Sequence, residues 1–164
     1  MIEFNKIWVE KYRPNKLADV ILDEASLRVV SQFEEEIPNL LFVGNPGTGK
    51  TTLARIIVND ILKCNYLYIN ASDESGIDTI RHNITNFAQT KSFDGKVKVI
   101  ILDEADGLTG QAQAALRNTM ESFAKYCRFI LTANYKHKII PALQSRCQSL
   151  DLKPVIGQAV KRCY

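Results

Sequence analysis

No two cysteines stand close enough in this sequence to share a metal ion. Cys64, Cys127, Cys147 and Cys163 are far apart, form no C-x-x-C pair and have no histidine at ligand spacing, which argues against a zinc site. Cys127 and Cys147 fall in strand-like runs and are expected to be small core residues. Long apolar runs are missing as well. None approaches the roughly 18 residues that a membrane span needs, and the N-terminus has no signal-like apolar stretch, so no membrane contact is expected. Reduced thiols without a signal peptide fit a cytosolic setting. A large excess of either charge is also lacking, and a net charge of +3 does not by itself point to nucleic acid. Internal repeats and low-complexity linkers are absent.

What is present suits one domain. A chain of 164 residues with 46% hydrophobic content can bury a sizeable core but is short for two domains. Lys125, Arg128, Lys136, Lys138, Arg146, Lys153, Lys161 and Arg162 follow Ala124 against the single acid Asp151. Such a block suits either a solvated basic surface or a face for phosphates or an acidic partner.

The periodicity alternates between strand and helix. Residues 25–36 read as a helix ending before Pro38, 39–43 as a short apolar strand, and 49–62 as a helix with Leu53, Ile56, Ile57 and Ile61 on one face. A strand at 66–70, a helix at 79–90, an apolar strand at 96–102, a helix at 110–123, and strands at 128–132 and 147–152 follow. Tyr12-Arg13-Pro14 blocks a long helix near the start. The alternation predicts an α/β fold of three layers around a parallel five-stranded sheet. Residues 1–156 are expected to form this core, and 157–164 to begin a further helical domain that breaks off.

Two stretches carry chemistry. Gly44-Asn45-Pro46-Gly47-Thr48-Gly49-Lys50-Thr51 matches the phosphate-loop pattern G-x-x-x-x-G-K-[ST] in full, with an apolar strand entering and an amphipathic helix leaving. The glycines let backbone N–H groups turn around phosphate oxygens, and the next helix points its positive end at them. Lys50 is placed to reach the β- and γ-phosphates and Thr51 to ligate Mg2+, with Thr48 and Thr52 in the same nucleotide-binding set. Val99-Ile100-Ile101-Leu102-Asp103-Glu104 is the second stretch. Its acidic end emerges where open α/β sheets bind ligands. Asp103 is expected to hold the magnesium through water, and Glu104 to orient and polarise an attacking water. Asp103-Glu104-Ala105-Asp106 also spells the signature of DEAD-box helicases, but the second helicase domain and further motifs are not visible.

Taken together these features resemble a known family. Trp8-Val9-Glu10-Lys11-Tyr12-Arg13-Pro14 is similar to the N-terminal signature of DNA sliding-clamp loader subunits of the AAA+ type. Asn70-Ala71-Ser72-Asp73-Glu74-Ser75-Gly76-Ile77 resembles their segment after the second strand, and Leu143-Gln144-Ser145-Arg146-Cys147 resembles their Ser-Arg-Cys motif. The likeness extends to replication factor C small subunits and to the large clamp loader subunit of T4-like phages. The pieces Thr85-Asn86-Phe87-Ala88 and Ser92-Phe93-Asp94-Gly95 look more like the phage protein.

The resemblance implies an ATPase with ATP and Mg2+ as cofactors. It implies an adenine pocket from Val9, Glu10, Lys11, Tyr12 and Ile21, a sensor at Asn134, and an arginine finger, Arg146, that acts on the ATP of a neighbouring subunit. Asn70 or Arg81 would restrain Glu104. Partners would be other clamp loader subunits in a ring or spiral, a sliding clamp, and primer–template DNA held without sequence specificity. The setting would be cytoplasmic, or nuclear in a eukaryote. The lid and collar that such subunits carry beyond this region are not in the sequence.

Overall fold

The computed structural model describes residues 14, 16–33, 37–73, 76–90 and 95–153. After a 3-10 turn at Leu17–Asp19 the elements run α1 (Glu24–Ser31), β1 (Leu40–Val43), α2 (Lys50–Ile56), β2 (Tyr66–Asn70), α3 (Ile77–Gln89), β3 (Lys98–Asp103), α4 (Gly110–Ser122), β4 (Cys127–Ala133), α5 (Pro141–Gln144) and β5 (Gln148–Asp151). The strands form one sheet in the order β2-β3-β4-β1-β5, and every pairing is parallel. This is the three-layer α/β fold expected from the alternation.

Strand chemistry explains the layers. All six residues of β3 are buried, as a strand covered on both faces requires. Ile100 and Leu102 pack with Ile80 and Ile84 of α3 and Leu116 and Met120 of α4. Val99 and Ile101 point the other way, among Val30 of α1 and Leu53, Ile57 and Val58 of the α2 region. Period-two alternation of one apolar strand thus serves two cores. Cys127 lies fully buried in the first core, and the half-buried Cys147 packs against it. Burial pushes the Cys147 thiol up to about 11.

Element ends differ from the periodicity by a residue or two in most elements and by more in two places. The first helix stops at Ser31, where the Gln32 N–H donates to the Val29 and Val30 carbonyls, and the buried Phe33 then turns into the core. Residues 34–36 lie outside those described. The second helix keeps α geometry only to Ile56 and widens into a π-turn at Ile57–Ile61, closed by Leu62 N–H donating to the Ile57 carbonyl at 2.8 Å. The wider turn keeps Ile57 and Val58 fully buried side by side.

Parallel register brings the C-terminal ends of β1, β3 and β4 to one edge. Val43 pairs with Ala133, and Leu102 with Leu131. The loop after β1, Asp103 at the end of β3 with Glu104 just beyond it, and Asn134 after β4 therefore share that edge. No helix among the described residues is long and apolar enough to cross a membrane.

Candidate phosphate-binding and catalytic site

The loop after β1 is shaped by its glycines. Gly47 and Gly49 hold φ of 82° and 85°, a left-handed conformation that costs a side-chain-bearing residue energy. Gly49 sits at the N-cap position, so α2 begins at Lys50 with its N-terminus facing the loop. Gly44 is fixed by space, since a Cβ there would stand 2.4 Å from the Leu152 carbonyl oxygen and 2.8 Å from Thr48 Oγ1. Thr48 closes the turn by donating its backbone N–H and its hydroxyl to the Asn45 carbonyl. Thr52 lies half-buried in the first turn of α2.

Lys50 is buried, and its ammonium donates to the carbonyls of Gly44 at 2.7 Å and Asn45 at 2.9 Å. Burial lowers its pKa, against an upward pull from Asp103, Asp106 and Glu104. A desolvated cation of this kind gains most from an anion brought beside it.

Asp103 is a buried carboxylate with hydroxyl donors from three elements. The Thr51 hydroxyl of α2 lies 2.9 Å from both oxygens, Tyr68 of β2 donates to Oδ2 at 2.7 Å, and Thr132 of β4 donates to Oδ1. Burial, then the bond to Asp103, pushes the Tyr68 phenol up to about 12, so it stays a donor through the physiological range. No cluster of three or more His, Cys, Asp or Glu side chains suited to a metal occurs among the described residues. A Mg2+ at a phosphate site needs only one or two protein oxygens and otherwise binds phosphate oxygens and water. Thr51 and Asp103 fit such an ion.

Glu104 is exposed and has φ of 55°, which is uncommon for a residue with a side chain. Its N–H donates to Thr132 Oγ1 at 3.0 Å, which helps hold the turn. Its carboxylate accepts from the Ser72 hydroxyl at 2.6 Å. The same hydroxyl lies 2.9 Å from Asn70 Oδ1, and its single proton serves one acceptor at a time. Asn70 therefore reaches Glu104 only through Ser72, while Arg81 pairs with Asp78 at 3.8 Å.

Asp106 anchors backbone, accepting from the N–H groups of Asn134 and Tyr135. This places the half-buried Asn134 at the same edge as the loop. Ile21 is half-buried just before α1. Val9, Glu10, Lys11 and Tyr12 lie outside the described residues, as do residues 157–164.

Arg146 is not brought to this edge. It is exposed, ion-paired with Glu121 near the end of α4, and sits two residues before β5 starts at the opposite edge, where Gln148 pairs with Leu40. Sequence reasoning gave no role to Thr132, Tyr68 or Ser72, although Ser72 lies in the segment after β2 that carries part of the family resemblance.

Residues 40–154 match the family described as ATPase family associated with various cellular activities (AAA). The replication factor C small subunit of Methanoregula boonei is 49% identical over 168 residues, covering 98% of this chain and 52% of that protein. The replication factor C small subunit of Archaeoglobus fulgidus is also 49% identical, over 96% of this chain and 51% of its own length. The chain thus spans about half the length of the curated relatives it matches. These relatives are archaeal and lend nothing to a phage origin. Among solved structures, the Thermotoga maritima RuvB Holliday junction branch migration motor aligns with a TM-score of 0.65 at 22% identity, over 87% of this chain and 48% of that one. That likeness concerns the fold alone.

Proposed function

The chain belongs to the ATPase family associated with various cellular activities (AAA), and from that premise we propose that it is the nucleotide-binding domain of a DNA sliding-clamp loader subunit. The observation that carries the chemistry is the Thr51 hydroxyl set against both oxygens of Asp103, with Lys50 in the loop and Glu104 one residue on. Near 49% identity to replication factor C small subunits over almost the whole chain supports the clamp loader reading.

In this reading Gly44, Gly47, Thr48, Gly49 and Thr52 wrap the phosphates of ATP, and Lys50 neutralises the β- and γ-oxygens. Val9, Glu10, Lys11, Tyr12 and Ile21 hold the adenine. Thr51 and Asp103 hold Mg2+, which when bound neutralises charge developing on the phosphate oxygens. Glu104 orients a water and takes its proton as the water oxygen attacks the γ-phosphorus. The bond to the β-phosphate oxygen breaks, and ADP and phosphate leave with no covalent intermediate. Asn134 senses the γ-phosphate, and Arg146 supplies its guanidinium to the ATP of a neighbouring subunit. Ser72, backed by Asn70, restrains Glu104 until DNA is bound.

The test is capture of the assembled subunits on a cognate sliding clamp. Retention on the clamp in Mg2+ and ATP, lost with Lys50→Ala, is expected. Assembled subunits that bind ATP but are never retained by the clamp would overturn the clamp loader reading.

A further inference from the structure

Asp103 is tied down more completely than a metal-linked carboxylate needs for burial alone. Three hydroxyls reach its two oxygens, and they are not equivalent. Thr132 secures Oδ1 from the buried interior of β4. Thr51 touches both oxygens, but its own oxygen is committed to the magnesium in the reading above. Among the described residues this leaves Tyr68 as the donor on Oδ2 that the magnesium does not claim.

Tyr68 is itself held. The Arg55 guanidinium carbon stands 4.7 Å from the centre of the tyrosine ring, a cation–π distance. Arg55 Nε is buried without a hydrogen-bond partner, and the guanidinium lies against the phenol it faces. The ring also packs against the core cluster to which Leu53 and Ile57 belong. A phenylalanine would fill that space equally well. Its hydroxyl is spent on Asp103 at 2.7 Å.

We propose that Tyr68 is a positioning residue for the magnesium site, fixing the orientation of the Asp103 carboxylate while Arg55 clamps the phenol from its ring face. The proposal rests on the assignment of Asp103 and Thr51 to magnesium. The Asp103 carboxylate has two soft torsions. With Oδ1 held by Thr132 alone it is free to swing about that contact whenever Thr51 turns toward a metal. The Tyr68 bond removes that swing and leaves the carboxylate pre-set.

The test separates metal affinity from nucleotide affinity. Binding of a fluorescent ATP analogue is titrated first in EDTA and then against rising Mg2+, for the native chain and for Tyr68→Phe, Arg55→Leu and Asp103→Asn. Tyr68→Phe is expected to leave metal-free affinity within about twofold and to raise the Mg2+ midpoint about tenfold, the low end for partners of metal-binding groups. Arg55→Leu should shift the midpoint the same way by less. Asp103→Asn should abolish the Mg2+ dependence. A Tyr68→Phe midpoint equal to the native one, with Asp103→Asn defective, overturns the role of Tyr68 and leaves the magnesium assignment standing. An unshifted Arg55→Leu overturns the clamp. Mg2+ dependence surviving in Asp103→Asn overturns the magnesium assignment and the proposal with it. A purely packing role for Tyr68 predicts that metal-free and metal-bound affinities fall together.

Discussion

Asp103 and Glu104 are neighbours with opposite surroundings. The first is buried and holds donors from α2, β2 and β4, while the second is exposed at a left-handed turn with one hydroxyl on its carboxylate. A side chain crowded with donors is suited to stay put, and a lightly held one to take a proton. Glu104→Gln should therefore leave binding of a fluorescent ATP analogue near native. It should slow single-turnover hydrolysis by about 10²–10⁴, the span of general-base contributions. A rate within about twofold of native removes Glu104 from the chemistry. Lys50, Thr51, Asp103 and Glu104 were legible in the sequence because each lies in a contiguous pattern with its neighbours. Thr132, Tyr68 and Ser72 were not. They reach the carboxylates from 29, 35 and 32 residues away, through sheet register and the turn after β2, and a linear pattern carries neither.

At the scale of elements, periodicity located each strand and the four longer helices but not the one-turn α5 at Pro141–Gln144, and element ends were set by other forces. The start of α1 shows how. Asp23 accepts the Ser26 N–H at 3.2 Å and the Ser26 hydroxyl at 2.5 Å, a side-chain cap on an otherwise orphan donor. Chiefly through the Ser26 hydroxyl, the Asp23 pKa is lowered from 3.8. A depressed folded-state pKa contributes stability that is present above the unfolded value and lost as pH falls through the folded one. Asp23→Ala should thus cost about 1 kcal/mol in urea unfolding at neutral pH. The gap should narrow as pH falls below the unfolded value and on through the depressed folded one, where the native cap is protonated too. A gap that persists or widens in acid contradicts the cap. The π-turn was illegible for a different reason. One extra residue per turn leaves the apolar spacing of Leu53, Ile57 and Ile61 almost unchanged, so the pattern cannot distinguish it from α-helix.

At the scale of the whole molecule, the basic block read from the sequence divides. Arg128 is spent on the backbone carbonyls of Ile37, Ala124 and Cys127, and Arg146 on Glu121, while Lys136–Lys138 forms a turn past the other end of β4. The consequence is largest for Arg146. Between it and its own phosphate loop runs β1, whose four residues span roughly 13 Å. A guanidinium on that side serves a phosphate only if the phosphate belongs to another subunit, and joining the neighbour would require release from Glu121. Fingers of this kind contribute about 10³–10⁵ in rate.

The account's central claim, one ATP site built from the loop of one subunit and the arginine of the next, is tested most directly by mixing two inactive variants. Lys50→Ala subunits lack the loop cation and Arg146→Ala subunits lack the finger. ATP turnover is measured for each assembly alone and for the mixture, with clamp and primed DNA. The account predicts little turnover by either variant alone and recovered turnover in the mixture, where some interfaces join an intact loop to an intact finger. A mixture no more active than its components, or an Arg146→Ala defect equally large in the isolated chain, would contradict it.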